Sequence, residues 1–384
     1  MNKPKIAVMM DWYLPGTKAG GPVRSVFSLI SLLKNDFDFY VITTNQDLGS
    51  AKPYGHIKAD TLFSKDNVHY YYFSKPRLSS AGMLEVLRLI NPDLIYLNSF
   101  WSFNFSINIV NLKNKGLLNA PVLLAPRGML GKGALGLKSL KKRVFLFAAK
   151  NLGWYKRIVF QATQQQEASD TRSKFRSADI RIAPNINAAA AVANKSVKHQ
   201  GYVKLFFLSR VSRVKNLHFA LEILKSIPQP YTVEYTIFGN LESQDYWSDC
   251  EKIIATLPKN ITVTYKGELQ FNEVQSTICH FHFLFLPTLN ENFGHSIVES
   301  LLCGCPAIIS DQTPWNDLEK NNAGYAIALS DTQKYIDAIV AAARLDQDSF
   351  LKKSSDTISY IQNKIDLQLV INQYKNIFND IIKN

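Results

Sequence analysis

The sequence predicts an α/β fold made of two doubly wound domains. Short apolar runs of strand length alternate with longer segments of helical periodicity along the chain. This alternation is interrupted near residues 184–201 and then starts again, and 384 residues suffice for two domains of ordinary size. Strand–helix alternation is typical of a parallel sheet that helices cover on both faces.

The first domain is expected to span residues 1–186. Its first strand is predicted at Lys5–Met10, and a helix is expected from Val23 to about Leu33, after a loop that ends in Gly20-Gly21-Pro22. Five further strands are predicted at Phe37–Thr43, His69–Phe73, Leu94–Leu97, Val122–Ala125 and Arg157–Ala162.

The second domain is expected to span residues 200–365, after a linker that begins at Pro184 and contains an Ala-rich stretch. Its strands are predicted at Val203–Leu208, Tyr231–Phe238, Ile261–Tyr265, Phe281–Pro287 and Ala307–Ser310. Its helices are predicted at Leu217–Ser226, near Trp247–Thr256, at Ser296–Cys303 and from Thr332 onwards. The last helix, at about residues 366–384, is expected to pack back onto the first domain.

Composition favours a soluble, cytoplasmic protein. The chain is 46% hydrophobic and 20% charged, and its longest apolar stretches are far shorter than the roughly 20 residues of a membrane-spanning helix. The N-terminal residues do not have the pattern of a signal peptide. Four cysteines do not make a disulfide framework, and we expect Cys303 and Cys305 to be packing residues.

The charge is distributed unevenly. Residues 1–190 contain 26 Lys and Arg against 11 Asp and Glu, whereas the remainder contains 18 against 20. No acidic residue occurs between Asp93 and Glu167, where 11 basic residues lie. A field of one sign implies an anionic partner for the first domain, such as nucleic acid, a phosphorylated lipid or an acidic membrane surface.

The loops after the predicted strands of the second domain carry the residues of a nucleotide-diphosphate site, because ligands of such sheets bind at the carboxyl ends of the strands. Arg210 and Lys215 supply the positive charge that a pyrophosphate needs. The helix that starts near Gly294 adds its backbone N–H groups and its dipole. Glu299 is placed to accept hydrogen bonds from a ribose diol, and Glu291 is placed to contact a sugar.

Glu291 and Glu299, with Phe293-Gly294 between them and Gly304-Cys305-Pro306 after them, resemble the signature of retaining glycosyltransferases of the GT-B fold, family four (group 1). Ser209-Arg210 with Lys215-Asn216 resembles the paired Arg and Lys of that family, and Gly20-Gly21-Pro22 resembles its glycine-rich donor loop. Three further segments resemble a bacterial branch of the family that builds surface polysaccharides: Pro126–Leu130, Ala162-Thr163 with Glu167, and Asp311–Trp315. The resemblance covers about residues 5–330.

This resemblance implies two Rossmann-like domains facing a cleft, with the sugar donor held between them. It assigns Arg210 and Lys215 to the leaving diphosphate, Glu291 to the donor sugar and Glu299 to the ribose. Further donor contacts are implied for Gly20, Gly21, Phe293, Gly294 and His295. The donor is expected to be UDP- or GDP-linked, and transfer to retain the anomeric configuration without a covalent intermediate, a cofactor or an obligatory metal.

In the first domain, Asn98 and Arg127 are candidate contacts for the acceptor or for an anion. Asn98 stands where family members often carry His, and Arg127 has the alternative role of bracing its loop. The acceptor is expected to be a lipid-linked saccharide. The basic and apolar segment Lys138–Leu152 would then rest on the anionic cytoplasmic face of the inner membrane, unless it is a core helix with a basic outer face.

Two other functions are compatible with parts of the sequence. A sugar-nucleotide epimerase would use the same donor pocket, but it needs acid–base side chains that the first domain does not offer in any evident way. A non-enzymatic nucleic-acid-binding protein would use the basic first half. No recognised nucleic-acid motif and no array of stacking aromatic residues supports that function, so we expect no nucleic-acid partner.

Overall fold

The structure, a computed structural model, describes residues 3–16, 18–131, 139–185, 196–269 and 273–383. The chain divides into unit 1, which comprises Met1–Ala188 and Leu367–Asn384, and unit 2, which comprises Ala189–Asp366. Each unit contains its own sheet with helices around it, so the predicted α/β class is confirmed. Lys138, Ile186 and most of the predicted linker lie outside the described residues.

Unit 1 contains an eight-stranded sheet. Its strands are β1 (Lys5–Met9), β2 (Asp38–Thr44), β3 (Leu62–Lys65), β4 (Val68–Phe73), β5 (Leu94–Asn98), β6 (Val122–Ala125), β7 (Ile158–Ala162) and β8 (Asp179–Ile182). Their order across the sheet is β3-β4-β2-β1-β5-β6-β7-β8, and every neighbouring pair is parallel except β3 and β4.

The described helices of unit 1 are α1 (Gly21–Leu33), α2 (Ser80–Ile90), α3 (Asn108–Asn114), α4 (Ser139–Asn151), α5 (Gln165–Lys174) and the C-terminal α12 (Leu367–Lys383). The central strands are continuous apolar runs because helices cover both faces of the sheet: Ile6–Met9 of β1 are completely buried. Helix α1 packs with an apolar stripe that includes Val23, Val26 and Leu33.

Unit 2 contains a six-stranded sheet in which all neighbouring pairs are parallel. Its strands are β9 (Tyr202–Leu208), β10 (Thr232–Phe238), β11 (Ile261–Gly267), β12 (Phe283–Leu286), β13 (Ala307–Ser310) and β14 (Gly324–Ile327). Its helices are α6 (Leu217–Lys225), α7 (Gln244–Ile254), α8 (Val274–Ile278), α9 (His295–Leu302), α10 (Thr332–Arg344) and α11 (Gln347–Lys364). The strand order is β11-β10-β9-β12-β13-β14.

Each sheet reverses its winding direction once. From β9 the chain of unit 2 builds outwards through β10 and β11, and it then returns to place β12 on the other side of β9. Unit 1 does the same between β1 and β5. Such a reversal is the topological switch point at which doubly wound sheets bind their ligands, outside the carboxyl ends of the strands.

Three strands were not predicted from the sequence. Strand β3 is exposed along its length and pairs with β4 through a hairpin turn at Asp66-Asn67, both of which have positive φ. Strands β8 and β14 are short edge strands with incomplete burial. Strands β3 and β8 lack the continuous apolar run by which the central strands are recognised, whereas β14 is apolar but only four residues long.

Helix α12 completes the core of unit 1. The ring of Phe378 packs edge-on against Phe37 and Tyr96, at centroid distances of 5.5 and 5.7 Å. Lys375 forms an ion pair of 2.7 Å with Asp36, and the Tyr374 hydroxyl accepts a hydrogen bond from Gln161. The C-terminal residues therefore belong structurally to the first half of the chain.

The substitution Phe378→Ala is predicted to destabilise unit 1 by about 3–5 kcal/mol, because it leaves a cavity among the buried rings. Thermal unfolding followed by calorimetry should show a lower transition for unit 1. The matched control is Asn376→Ala, at an exposed position of the same helix, which should change stability by less than about 0.5 kcal/mol. Equal effects of the two substitutions would contradict the packing described for α12.

Candidate functional site

The candidate site of unit 2 lies at its switch point, where β9 and β12 are neighbours. The β9 loop, residues 209–216, and the β12 loop, residues 287–294, both leave the carboxyl edge of the sheet there. Each loop runs into a helix, α6 and α9 respectively. Side chains and helix N-termini from both loops are therefore brought to one edge of one sheet.

The β9 and β12 loops are tied together by hydrogen bonds. Asn216, which has a left-handed backbone with φ of 60°, donates from its side-chain amide to the carbonyl of Pro287 at 3.0 Å. The Leu289 amide donates to the Val214 carbonyl at 2.8 Å, and the Thr288 hydroxyl donates to the same oxygen at 3.1 Å. These bonds fix the register of one loop against the other.

The segment after β13 supports the β12 loop from its other side. The Glu291 amide donates to the Gln312 carbonyl at 3.0 Å, and the indole N–H of Trp315 donates to the Phe293 carbonyl at 2.6 Å. The rings of Phe293 and Trp315 also meet at a centroid distance of 6.0 Å. Trp315 is thus an anchor of the site, a role that the sequence did not indicate.

Lys215 and Glu291 form an ion pair across the two loops. Their side chains are only 12% and 16% exposed, respectively, so water screens this pair less than a surface pair. Arg210 lies at the beginning of the β9 loop and forms an ion pair of 3.1 Å with Glu242, in which both side chains are about half-exposed. The structure therefore brings Lys215 and Glu291 into direct contact and leaves Arg210 on a more open part of the same edge.

Helix α9 begins at His295, directly after Gly294. Gly294 is its N-cap residue, has a left-handed backbone with φ of 78°, and provides no side-chain cap. A helix start of this kind offers backbone N–H groups and a positive dipole end to an anion. Glu299 lies in the second turn and is 6% exposed, so a ligand that contacts this carboxylate must reach into the edge of the sheet.

Gly239 determines how closely the β10 loop approaches the β9 loop. It has φ of +142°, and a Cβ at this position would lie 1.8 Å from the carbonyl oxygen of Ser209, the residue before Arg210. Only glycine fits such an approach without displacement of the backbone. From the sequence, only its position directly after the predicted strand that ends at Phe238 could have marked Gly239 as part of the site.

In unit 1, Gly20 and Gly21 follow β1 and begin helix α1. Gly20 is the N-cap residue, with φ of 70°, and Pro22 occupies the first turn, where its missing N–H has no cost. The loop that holds them belongs to the switch point between β1 and β5. The structure thus places Gly20 and Gly21 in unit 1, whereas the other seven residues predicted to contact the donor lie in unit 2.

Arg127 is held by neighbouring side chains of unit 1. Its guanidinium donates to the side-chain oxygens of Asn98 and Asn185, each at 2.5 Å, and to the Tyr96 hydroxyl at 3.0 Å. Its backbone is left-handed, with φ of 56°, and strained residues of this kind persist where the surroundings fix them. These contacts favour the bracing role among the two predicted alternatives, and they occupy Asn98 in the same network.

Glu167 braces the same edge of unit 1 from helix α5. Its buried carboxylate accepts hydrogen bonds from the Gly128 amide at 2.6 Å, the Thr163 amide at 2.7 Å and the Thr163 hydroxyl at 2.6 Å. The loops after β6 and β7 are thereby joined. Two of the three sequence segments that resemble the surface-polysaccharide branch, Pro126–Leu130 and Ala162-Thr163 with Glu167, are thus joined by these bonds, whereas the third, Asp311–Trp315, lies in unit 2.

Asp11 is a further candidate that sequence reasoning missed. It lies two residues after the end of β1, and its carboxylate accepts a hydrogen bond of 2.9 Å from the hydroxyl of Ser102, which lies beyond β5. Burial raises the pKa of Asp11, and the hydrogen bond from Ser102 partly offsets this effect. A recessed carboxyl group at a switch point is suited to bind a hydroxyl group of a ligand.

Within the described residues, no group of three or more His, Cys, Asp or Glu is placed to hold a metal ion. The four cysteines are free and buried. Cys305, for instance, has its thiol 3.3 Å from the carbonyl oxygens of Ile278 and Phe281.

Comparison with protein families and solved structures gives a consistent result. Residues 190–363 match the family described as glycosyl transferases group 1, whereas comparison with the curated proteins gives no match. A structure of Anabaena Alr3699/HepE in complex with UDP and glucose is 15% identical, with a TM-score of 0.70, over 98% of this chain and 100% of that one.

Two further solved structures have the same fold. Sucrose-phosphate synthase from Thermosynechococcus elongatus is 14% identical, with a TM-score of 0.71, over 99% of this chain and 100% of that one. WaaG, described as a glycosyltransferase involved in lipopolysaccharide biosynthesis, is 12% identical, with a TM-score of 0.65, over 97% and 99% of the two chains. At these identities the likeness establishes the fold.

Two substitutions of Asn216 are predicted to separate the contribution of its hydrogen bond to Pro287 from that of its left-handed backbone conformation. Asn216→Gly removes the hydrogen bond to Pro287 and should cost about 1 kcal/mol. Asn216→Ala also forces a Cβ-bearing residue without a polar side chain into the left-handed region, and it should cost about 1 kcal/mol more. Urea unfolding of both variants measures the difference. An alanine variant as stable as the glycine variant would contradict this account of the loop.

Asp11→Asn is predicted to stabilise the protein at neutral pH. Because the folded-state pKa of Asp11 is raised, its contribution to the free energy of unfolding falls as the pH rises from the unfolded-state pKa, about 3.9, through the folded-state pKa. The advantage of the Asn variant should therefore vanish in acid. Urea unfolding at several pH values tests this.

Ser102→Ala provides the matched variant for that experiment. It removes the hydrogen bond that lowers the pKa of Asp11, so the pH dependence of stability should become steeper. A difference between Asp11→Asn and the unmodified protein that is the same at every pH would show that burial of this carboxyl group has no such effect.

Proposed function

Because the chain is a GT-B-fold glycosyltransferase whose residues 190–363 belong to group 1, we propose that it transfers a sugar, with retention of the anomeric configuration, from a UDP- or GDP-linked donor. The observation that carries this proposal is the switch point of unit 2. There the Lys215–Glu291 pair, Arg210 and the start of α9 share one edge of a parallel sheet.

Lys215 and Arg210 are the groups that stabilise the leaving diphosphate. An ammonium has three N–H donors, so Lys215 can keep its bond to Glu291 and also donate to phosphate oxygens. Arg210 lies where its ion pair is half-exposed, and a diphosphate can replace Glu242 at little cost because such surface pairs contribute at most about 1 kcal/mol. Charge that develops on the diphosphate in the transition state is thereby stabilised.

Glu291 orients the donor sugar and does not attack it. Its carboxylate is already paired with Lys215, which supports a route without a covalent glycosyl-enzyme intermediate, with the acceptor entering on the face from which the diphosphate leaves. In this proposal the two cations supply the charge stabilisation, so that no metal ion is obligatory.

Glu299 binds the ribose of the donor. Its recessed position in the second turn of α9 allows the carboxylate to accept from a vicinal diol while the helix start faces the phosphates. Uridine is favoured as the base because the fold is shared with Anabaena HepE, whose structure contains UDP.

The acceptor binds to unit 1, at the switch point that holds Asp11 and Ser102. We propose a lipid-linked saccharide as acceptor and surface-polysaccharide synthesis as the pathway class. The basic character of the first half of the chain and the shared fold of WaaG, which is involved in lipopolysaccharide biosynthesis, support this choice. Such an acceptor places the reaction at the cytoplasmic face of the inner membrane.

A thermal-shift screen against UDP, GDP, ADP and their common sugar conjugates tests the donor site. A ligand at about 100 times its dissociation constant should stabilise the protein by about 2.7 kcal/mol. Lys215→Ala, Arg210→Ala and Glu299→Gln should each lose most of this shift. With a transferable donor, loss of either cation should reduce the rate by about 10²–10³-fold.

Arg213→Ala is the matched control. Arg213 lies in the same loop but is exposed and pairs with Asp249 of α7, so its loss should change neither binding nor rate. No shift with any nucleotide in a folded protein, or equal losses for Arg210→Ala and Arg213→Ala, would contradict the proposed site.

A further inference from the structure

Helix α4 of unit 1 is apolar on two opposite sides. One side includes Phe145, Leu146 and the completely buried Ala149, and it packs against the core of the unit. The ring of Phe145 contacts Trp101 and Trp154 at centroid distances of 5.5 and 5.8 Å. This side accounts for the position of the helix in the fold.

The opposite side carries an exposed stripe of Leu140, Val144 and Phe147. These residues are 74%, 62% and 72% exposed, respectively, and their spacing of four and three residues places them on one line along the helix. Large apolar side chains that are exposed singly are common, but a contiguous stripe marks an interaction surface. Leu152, directly after the helix, is also exposed.

Basic residues flank the stripe on both sides. At 100° per residue, Lys141 falls on one side, and Arg143 and Lys150 fall on the other; all three are exposed. No acidic residue occurs in the sequence from residue 94 to residue 166. The surface around α4 thus combines an apolar centre with a basic border.

A small pocket adjoins the end of the helix. It has a volume of about 190 Å³, and its lining includes the three basic residues Lys150, Lys156 and Arg176 together with Tyr155 and Phe175. Lys150 belongs to both the border of the stripe and the wall of the pocket. The pocket therefore adjoins the basic border of the stripe at Lys150, and its charge suits a phosphate group.

We propose that the α4 stripe and this basic pocket dock unit 1 onto an anionic lipid surface. Leu140, Val144 and Phe147 enter the boundary between headgroups and acyl chains, as the apolar face of an interfacial helix does. The pocket receives the phosphate of one lipid headgroup. The inference rests on the proposed function only in that it explains how a lipid-linked acceptor would be reached.

The charge pattern favours lipid over a second copy of the chain. A self-complementary contact between two α4 stripes would bring their basic borders together, and like charges oppose such a contact. An anionic lipid surface satisfies the apolar stripe and its basic border at the same time. Nucleic acid would satisfy the border but leave the three apolar side chains exposed.

Co-sedimentation with vesicles tests the proposal. The full chain is mixed with phosphatidylcholine vesicles that contain or lack phosphatidylglycerol. Binding is expected only to the anionic vesicles. The triple variant Lys150→Glu, Lys156→Glu and Arg176→Glu should bind at least about ten-fold more weakly, because each nearby Lys or Arg contributes about five-fold. The double variant Val144→Ser with Phe147→Ser should lose about as much, because two of the three apolar side chains no longer enter the lipid boundary.

Matched controls distinguish binding through this surface from non-specific hydrophobic adsorption and from an effect of the net charge of the protein. Leu89→Ser replaces an apolar residue of α2 that is 68% exposed, and Lys259→Glu with Lys266→Glu reverses two exposed charges of unit 2. Both control proteins should bind vesicles like the unmodified chain. Unchanged thermal unfolding of all variants shows that each is folded.

Three results would overturn the proposal. The first is equal binding to neutral and anionic vesicles, and the second is unchanged binding of both test variants. The third is that the unmodified chain forms an oligomer and that only the variant Val144→Ser with Phe147→Ser is monomeric, which would make the stripe a contact between copies of the chain. Nucleotide-sugar binding is measured on the same proteins. Because nucleotide-sugar binding is proposed to depend on unit 2, the variants of α4 and of the pocket should bind nucleotide sugar like the unmodified chain. A failure of the donor proposal is thereby distinguished from a failure of docking.

Discussion

A parallel sheet connects its strands by crossovers that must lie on one face or the other. When the chain changes its winding direction, two neighbouring strands send their connections to opposite faces, and the loops at their carboxyl ends diverge. In unit 2 this happens between β9 and β12. Lys215, Glu291 and the start of α9 share one edge because of this reversal, although 76 residues separate the two charged partners.

Hydrogen bonds and a close backbone approach fix the loops at this point relative to one another. Asn216 joins the β9 loop to the β12 loop, Trp315 anchors the latter from beyond β13, and Gly239 allows the β10 loop to approach Ser209. Electrostatic stabilisation of a leaving group is effective when its donors need no reorganisation during the reaction. The hydrogen bonds between loops and the transfer chemistry proposed for this edge therefore depend on the same strand order.

Much of this architecture could be predicted from the sequence, because central strands such as Val122–Ala125 are continuous apolar runs. Arg210, Lys215 and Glu291 could be singled out since each follows such a strand. Edge strands such as Asp179–Ile182, being partly exposed, gave no comparable signal. The roles of Trp315 and Asp11 depend on contacts between segments far apart in the chain, which periodicity does not report. The sequence left α4 as either a core helix or a surface helix, whereas the structure shows one face in the core and an exposed stripe opposite.

The central claim is that the switch point of unit 2 binds the diphosphate of a sugar donor. A crystal structure of the protein with a non-transferable nucleotide sugar tests it most directly. The account predicts phosphate oxygens about 2.7–2.9 Å from Lys215 Nζ and the Arg210 guanidinium, as in charge-assisted hydrogen bonds, with the ribose diol on Glu299. A diphosphate bound instead at the basic surface of unit 1, away from these three side chains, would contradict the account.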